Sequence, residues 1–187
     1  MLVAILFTAK LNALDVNNEF IQNINTANSF GYVNYETEQF ETYCNVKVSQ
    51  GNYTSIASKI YKPLSGDTLI VVFHGNGEGG VNSICNNYAQ LAGNRLAVTY
   101  TTDELQRAFK GAYALSFQAP DYWYNDYTQQ TKAIIDQAVN EFNIKKVFIS
   151  GLSAGKLMSQ RILAKYGNYF SGALISCSTI AKNNQYI

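Results

Sequence analysis

Residue types that would point directly to a function are scarce in this chain of 187 residues. It has two prolines, one histidine and a net charge of only +1, from 14 basic and 13 acidic residues. No basic block occurs, and binding to a phosphate backbone needs clustered Lys and Arg, so nucleic acid is not expected as a partner. The length fits one globular domain with its own hydrophobic core.

Long hydrophobic runs are also missing. The apolar run at residues 2–9 is too short to span a bilayer, so no membrane span is expected. Residues 1–13 have the features of a weak secretory signal, although no basic residue precedes the apolar part. We therefore predict export, with a cytoplasmic location as the alternative. The three cysteines, Cys44, Cys85 and Cys177, match no metal spacing, and their odd number leaves at least one thiol unpaired within the chain.

The apolar patterns that are present predict an α/β fold. Residues 1–40 are treated as a lead-in, and residues 41–187 as the folded domain. Two strands around Gly51-Asn52 form a predicted hairpin over residues 42–49 and 54–61. Later strands are predicted at 68–74, 112–117, 147–150 and 170–176, and helices at 82–91, 103–109, 127–142 and 156–166. This alternation implies a mostly parallel sheet with helices on both faces.

The pentapeptide Gly151-Leu152-Ser153-Ala154-Gly155 lies between a predicted buried strand and a predicted helix. This context is typical of a nucleophile elbow, in which a strained turn exposes a serine hydroxyl above the sheet. Small residues two positions to either side allow the strand and the helix to approach each other. The start of the helix directs its free N–H groups toward an oxyanion forming at the serine. Ser153 is therefore the predicted nucleophile, and the N–H of Ala154 one oxyanion donor.

A second glycine-rich turn follows the strand at 68–74. His74-Gly75 after the third strand is typical of an oxyanion loop, with the N–H of Asn76 or Gly77 as the other donor. We expect this backbone to lie within about 10 Å of Ser153, because both donors must reach one oxygen. The same turn also has the spacing G-x-G-x-x-G of a dinucleotide site, with Asp103 placed to hold a ribose hydroxyl. That alternative leaves Ser153 unexplained.

Together these motifs resemble those of α/β-hydrolases of the prolyl-oligopeptidase-like, feruloyl-esterase and polyhydroxybutyrate-depolymerase kinds. The matching segments are 69–80 (LIVVFHGNGEGG), 101–104 (TTDE), 109–113 (FKGAY), 118–126 (QAPDYWYND) and 151–155 (GLSAG), and the resemblance covers about residues 40 to 180. It implies a serine esterase or peptidase acting on a small ester or peptide, with neither metal nor cofactor. His74 and Trp123 are candidates for lining a substrate pocket, although a Trp in a loop is as often a packing anchor.

The chain departs from the family pattern after the serine. Residues 154–187 contain no Asp, Glu or His, although the resemblance implies an acid and a histidine there. We expect His74, the one histidine, to be packed and hydrogen-bonded rather than to act as the base. Without a base the serine is a poor nucleophile, so this chain is predicted to be weak or inactive. A catalytically silent binding protein on the same scaffold is the alternative.

The end of the predicted sheet also departs from the family pattern. We predict that the hydrolase sheet is incomplete, as in a fragment, with the strand at 170–176 at its edge. An edge with unpaired N–H and C=O groups and an exposed apolar face is a template for pairing with another chain. The sequence therefore predicts self-association through this strand.

Overall fold

The computed structural model describes residues 38–47, 53–78, 89–93, 95–119 and 122–177. The strands in these residues are β1 (Phe40–Thr42), β2 (Asn45–Lys47), β3 (Tyr53–Ser55), β4 (Ala57–Tyr61), β5 (Thr68–Phe73), β6 (Ala112–Gln118), β7 (Lys146–Leu152) and β8 (Gly172–Ser176). The helices are α1 (Ala89–Ala92), α2 (Leu96–Thr99), α3 (Asp103–Phe109), α4 (Thr128–Glu141) and α5 (Gly155–Tyr166). Short 3-10 helices lie at Asn76–Glu78 and Gly167–Tyr169.

A six-stranded sheet organises the fold, in the order β1-β4-β6-β5-β7-β8. The pairs β6-β5, β5-β7 and β7-β8 are parallel, whereas β1-β4 and β4-β6 are antiparallel. Strands β2 and β3 form a separate two-stranded sheet. The predicted α/β class is therefore confirmed, with a mixed sheet whose parallel half contains the strands that alternate with helices.

The predicted hairpin is present, but each of its arms is interrupted. The outer parts β1 and β4 pair within the main sheet, from Phe40 opposite Tyr61, and β2 pairs with β3 from Asn45 opposite Ser55. The interruption lies where Ile56 turns into the core with 1% of its surface exposed. The first arm is interrupted between Thr42 and Asn45, and it begins at Phe40 rather than at residue 42.

Strand β5 is the centre of the core. All six of its residues are buried, as the continuous β-branched run predicts for a strand covered on both faces. Leu69, Val71 and Phe73 face a cluster with side chains from α4 and α5, while Ile70 and Val72 face a second cluster with side chains from α1 and α2. Helices therefore cover both faces of the parallel half.

The remaining predicted elements appear with small shifts. The predicted helices at 103–109, 127–142 and 156–166 are found as α3, α4 and α5, and the strand predicted at 147–150 extends over Lys146–Leu152. The signal-like segment, the hairpin turn at Gly51-Asn52 and most of the helix predicted at 82–91 lie outside the described residues. Cys44 is disulfide-bonded, and Cys177 is a free, exposed thiol. Across the described ranges, no helix is both long and apolar enough to cross a membrane.

Candidate active site

The register of the parallel strands brings the two glycine-rich turns together. Phe73, the last residue of β5, lies opposite Gly151 of β7. Gly75 and Ser153 each follow two residues later, at the same edge of the sheet. A methyl group added to Gly75 would lie 3.8 Å from Cβ of Ser153, so the predicted closeness of the two turns is found.

Ser153 lies in a strained turn between β7 and α5. Its φ angle of 50° is in the left-handed region, which costs an ordinary residue roughly 1–2 kcal/mol. The residue is exposed, and its N–H donates to the carbonyl of Ser176 at the end of β8 (3.0 Å). The turn therefore presents the serine to solvent and is tied to the neighbouring strand.

The flanking glycines permit this turn because the space for a side chain is already occupied. A Cβ on Gly155 would overlap the carbonyl oxygen of Phe73 and lie 2.7 Å from that of His74. A Cβ on Gly151 would overlap the hydroxyl of Ser159, which donates to the Gly155 carbonyl (2.9 Å). Helix α5 can therefore begin directly against the end of β5, as the small residues predict.

The predicted oxyanion donors lie on the two turns. Asn76 and Gly77 are exposed residues of the 3-10 turn that follows Gly75. Ala154 precedes α5, where the first N–H groups of a helix have no acceptor inside it. The positive end of the helix dipole also favours negative charge at this point. The arrangement suits an oxyanion, and the catalytic roles of these residues stay predictions.

His74 is buried, with 1% of its surface exposed, and both ring nitrogens are engaged. Nε2 accepts a hydrogen bond from the N–H of Ala119 (2.8 Å), so Nδ1 carries the proton, and Nδ1 lies 2.5 Å from the Gly75 carbonyl. Burial lowers the pKa of His74 to about 4, although the bond to Gly75 acts in the opposite direction. His74 is therefore neutral at pH 7 and has no free nitrogen with which to accept a proton from Ser153.

A buried polar residue at the carboxyl end of β6 holds the Gly75 turn in place. The amide of the buried Gln118 donates to the Glu78 carbonyl. The Glu78 carboxylate is also buried, and its Oε2 lies 3.9 Å from Nδ1 of His74, too far for a hydrogen bond. Because His74 is neutral above about pH 4, this contact is not an ion pair at neutral pH.

Trp123 and His74 do not line an open pocket, so that prediction is corrected. The Trp123 side chain is fully buried, its ring centroid lies 4.8 Å from that of His74, and its Nε1–H donates to the His74 carbonyl (3.1 Å). A large ring with a satisfied N–H is a packing anchor. Tyr124, on the same loop, is the exposed aromatic residue, at 66%.

Sequence reasoning missed Arg161, which lies on α5. Its guanidinium donates to the carbonyls of Trp123 (2.7 Å), Asn125 (2.8 Å) and Tyr124 (3.1 Å). The residues it joins are 36 to 38 positions apart, so no local pattern indicates the contact. The sequence offers only a general indication of this contact, namely that an arginine can donate to several carbonyls at once.

Asp103 does not lie where a dinucleotide site needs its acidic residue. In a dinucleotide fold the ribose-binding acid follows the next strand of the βαβ unit. Here the apolar segment before Asp103 is helix α2, and Asp103 itself is an exposed residue that begins α3.

No group of three His, Cys, Asp or Glu side chains suited to a metal occurs in the part of the chain that the structure describes. A cavity of about 400 Å³ lined by Lys132 and residues 163–169 lies at the far end of α5, about 15 to 20 Å from Ser153 by helix rise.

The chain matches no protein-family model and no curated protein. Solved structures similar to it include an epoxide hydrolase from Vigna radiata (12% identity, TM-score 0.44, 80% of this chain and 44% of that one). Others are oligopeptidase B from Trypanosoma brucei (12%, 0.41, 74% and 20%) and a Mycobacterium tuberculosis protein (16%, 0.40, 71% and 44%). The chain thus spans less than half the length of each of these three. Hydrolases are among the structures that this chain is similar to, as the sequence motifs predicted. The similarity is one of fold and covers part of each chain.

Proposed function

We propose that this chain carries the nucleophile and the oxyanion donors of a serine hydrolase that acts on carboxylic esters or peptides. The observation that carries the proposal is the exposed Ser153, with φ of 50°, beside the Gly75 turn. A strained serine at a strand-to-helix turn next to a second turn of backbone N–H groups suits acyl transfer.

In the proposed reaction, the Ser153 hydroxyl oxygen bonds to the substrate carbonyl carbon while the hydroxyl proton passes to a base. The carbonyl oxygen becomes an anion held by the N–H of Ala154 and that of Asn76 or Gly77. Collapse of this intermediate expels the alcohol or amine, which takes up a proton, and water then releases the acid from the serine ester.

His74 does not supply the base in this scheme, because both of its ring nitrogens are already bonded. Turnover by the chain alone is therefore expected to be slow and limited to activated esters. Enzymes stripped of their catalytic triad keep a residual acceleration of roughly 10³ to 10⁴ over water from the oxyanion hole and substrate binding. Efficient hydrolysis of an unactivated ester that Ser153→Ala abolishes would show that a base is present and that this part of the proposal is wrong.

Labelling with a fluorophosphonate probe tests the nucleophile directly. In this reaction the serine oxygen bonds to phosphorus and fluoride leaves. Because His74 does not act as a base, we expect the adduct to form slowly. Peptide mass mapping should place one adduct on Ser153 after long incubation, and none should form on Ser153→Ala. Ser65→Ala, which alters an exposed loop serine, is the matched control and should label like the parent. A folded parent that remains unlabelled, or that labels elsewhere, would contradict the proposal.

A catalytically silent binding protein on this scaffold is the second candidate. The observation that favours it is the state of His74, the chain's one histidine, which is buried and neutral. This candidate predicts that the folded chain neither labels at Ser153 nor hydrolyses a p-nitrophenyl ester faster than Ser153→Ala does. Labelling at Ser153 would exclude it.

A further inference from the structure

Arg161 joins the elbow helix to the aromatic loop at residues 122–126. It lies two turns after Ser153 on the helix that the elbow starts, and it donates to three consecutive carbonyls, those of Trp123, Tyr124 and Asn125. Three acceptors on one loop make use of the planar fork of a guanidinium, whose donors are held in a fixed arrangement. A lysine ammonium has no such fork.

The loop needs this support because its backbone is strained. Tyr122 (φ 61°) and Trp123 (φ 70°) are two consecutive bulky residues in the left-handed region. Such residues persist only when their surroundings hold them in place. The carbonyls of Trp123 to Asn125 converge on Arg161, so the guanidinium stabilises the loop in this conformation.

The same loop contacts the oxyanion turn through Trp123. The indole N–H donates to the His74 carbonyl (3.1 Å), and the indole ring lies against the His74 ring. His74 in turn is bonded to the Gly75 carbonyl and to the N–H of Ala119. A continuous set of bonds thus runs from α5 through Arg161, Trp123 and His74 to the turn that carries the proposed oxyanion donors.

We propose that Arg161 is a positioning residue that fixes the spacing between Ser153 and the oxyanion turn. Arg161 lies on α5 and Ser153 lies in the turn that leads directly into this helix, whereas the oxyanion donors at Asn76 and Gly77 follow a different strand. Arg161 connects the two through Trp123 and His74. A displacement of about 1 Å at a reacting group can cost roughly 100-fold in rate, so this connection matters to the reaction. The proposal rests on the serine chemistry proposed above.

The first arm of the test measures the link without using any reaction. The chain has a single tryptophan, so its indole N–H gives one assignable ¹⁵N–¹H NMR signal. We expect this proton to exchange slowly in the parent and at least about tenfold faster in Arg161→Lys, because a loosened loop opens the bond to His74. Arg107→Lys, on the exposed face of α3, should leave the signal unchanged. An unshifted, equally protected signal in Arg161→Lys would overturn the proposal.

The second arm measures the rate constant of fluorophosphonate labelling at Ser153. We expect Arg161→Lys and Trp123→Phe, which keeps a ring but loses the N–H, each to lower it about tenfold or more. The double variant should be no slower than the slower single variant, because both changes break the same set of bonds. The proposal would be overturned if the two effects multiply in the double variant, or if Arg161→Lys labels with the parental rate constant.

The two arms also separate positioning from simple loss of stability. A partly unfolded variant that refolds faster than it labels has a rate constant lowered only in proportion to its native fraction, which urea unfolding measures independently. A displaced oxyanion turn lowers the rate constant of the native molecules themselves. A rate constant lowered only by the native fraction would therefore count against positioning. If Arg161→Lys does not fold, Trp123→Phe is compared with the parent in the same way. If the parent does not label at all, the serine chemistry fails while the NMR arm still decides the link.

Discussion

The ends of two neighbouring strands, β5 and β7, carry polar residues in opposite circumstances. His74 follows β5 and is buried, neutral and hydrogen-bonded through both ring nitrogens and its carbonyl. Ser153 follows β7 and is exposed in a strained turn. One turn thus provides rigidity and the other presents a reactive group, although each consists of a polar residue close to a glycine after a buried strand.

The difference has a physical cause in what surrounds each turn. The His74 turn is backed by the ends of β5 and β6 and by the Trp123 ring, which exclude water and supply bonding partners. The Ser153 turn lies above the sheet at the start of a helix, where backbone N–H groups are still available. Substitutions at these turns are therefore expected to differ in their effects, and the largest effect is expected where α5 begins against the end of β5.

Replacing Gly155 by alanine should be the most damaging change. The added Cβ would overlap the Phe73 carbonyl and lie 2.7 Å from that of His74, and neither backbone atom can move without shifting a buried strand. We expect a loss of about 4 kcal/mol in the free energy of unfolding, or a chain that does not fold. Gly167→Ala, where a Cβ meets nothing within 4 Å, is the control and should cost nothing. Equal urea midpoints for the two variants would contradict this account.

The buried turn should make stability depend on pH. The pKa of His74 falls from 6.5 to about 4 on folding, so the unfolded chain binds a proton between these values while the native chain does not. Stability is therefore expected to fall as the pH drops from about 6.5 to 4, by about 3 kcal/mol in total. Urea unfolding at intervals across this range measures the slope.

His74→Gln provides the comparison for this slope. The variant removes the titrating ring, so it should be less stable at pH 7 but should lose the dependence above about pH 4.5, where carboxylates contribute little. If the parent and the variant show the same slope between pH 6.5 and 4.5, another group is responsible.

The sequence predicted the parts of this fold whose cause is local. The run of β-branched residues in β5 and the spacing of apolar residues in α4 placed those elements within one or two residues. The glycines at 151 and 155 indicated the elbow because close approach of strand and helix leaves no other choice. The closeness of Gly75 and Ser153 is predicted from the need for both oxyanion donors to reach one oxygen, and the parallel pairing of β5 with β7 produces it.

The misses have a cause that is not local. Trp123 stands in a polar loop, and its burial depends on the His74 carbonyl, 49 residues away. The contacts of Arg161 depend on two consecutive left-handed residues whose conformation no propensity favours. The hairpin is interrupted at Ile56, whose side chain packs in the cluster that faces α4 and α5. Tertiary contacts decide all three.

Strand β8 supports the elbow, since the Ser176 carbonyl accepts a hydrogen bond from the Ser153 N–H. The outer edge of the same strand is a candidate surface for self-association. It pairs with β7, and within the described ranges no strand pairs with its other side. Leu174 is 60% exposed on it. We propose self-association through this edge. At high protein concentration, we expect Leu174→Lys to show a lower sedimentation coefficient or a lower light-scattering mass than the parent.

Leu64→Lys is the matched control for this edge. Leu64 is fully exposed on the loop before β5, so it tests a loss of apolar surface away from any strand edge. It should leave association unchanged. A parent that is monomeric at all concentrations, or equal effects of the two variants, would remove the edge from consideration.

The smallest effect is expected at Ser153 itself, where the strain can be measured. With φ of 50°, a residue with a Cβ loses roughly 1–2 kcal/mol, and glycine does not. Glycine gains more entropy in the unfolded chain, which offsets about 0.5–1 kcal/mol. Because both substitutions remove the hydroxyl, we expect Ser153→Gly to be more stable than Ser153→Ala by about 0.5–1 kcal/mol in urea unfolding at pH 7. An alanine variant as stable as the glycine variant would mean that the turn stores no strain, and the contrast with the relaxed His74 turn would then rest on exposure alone.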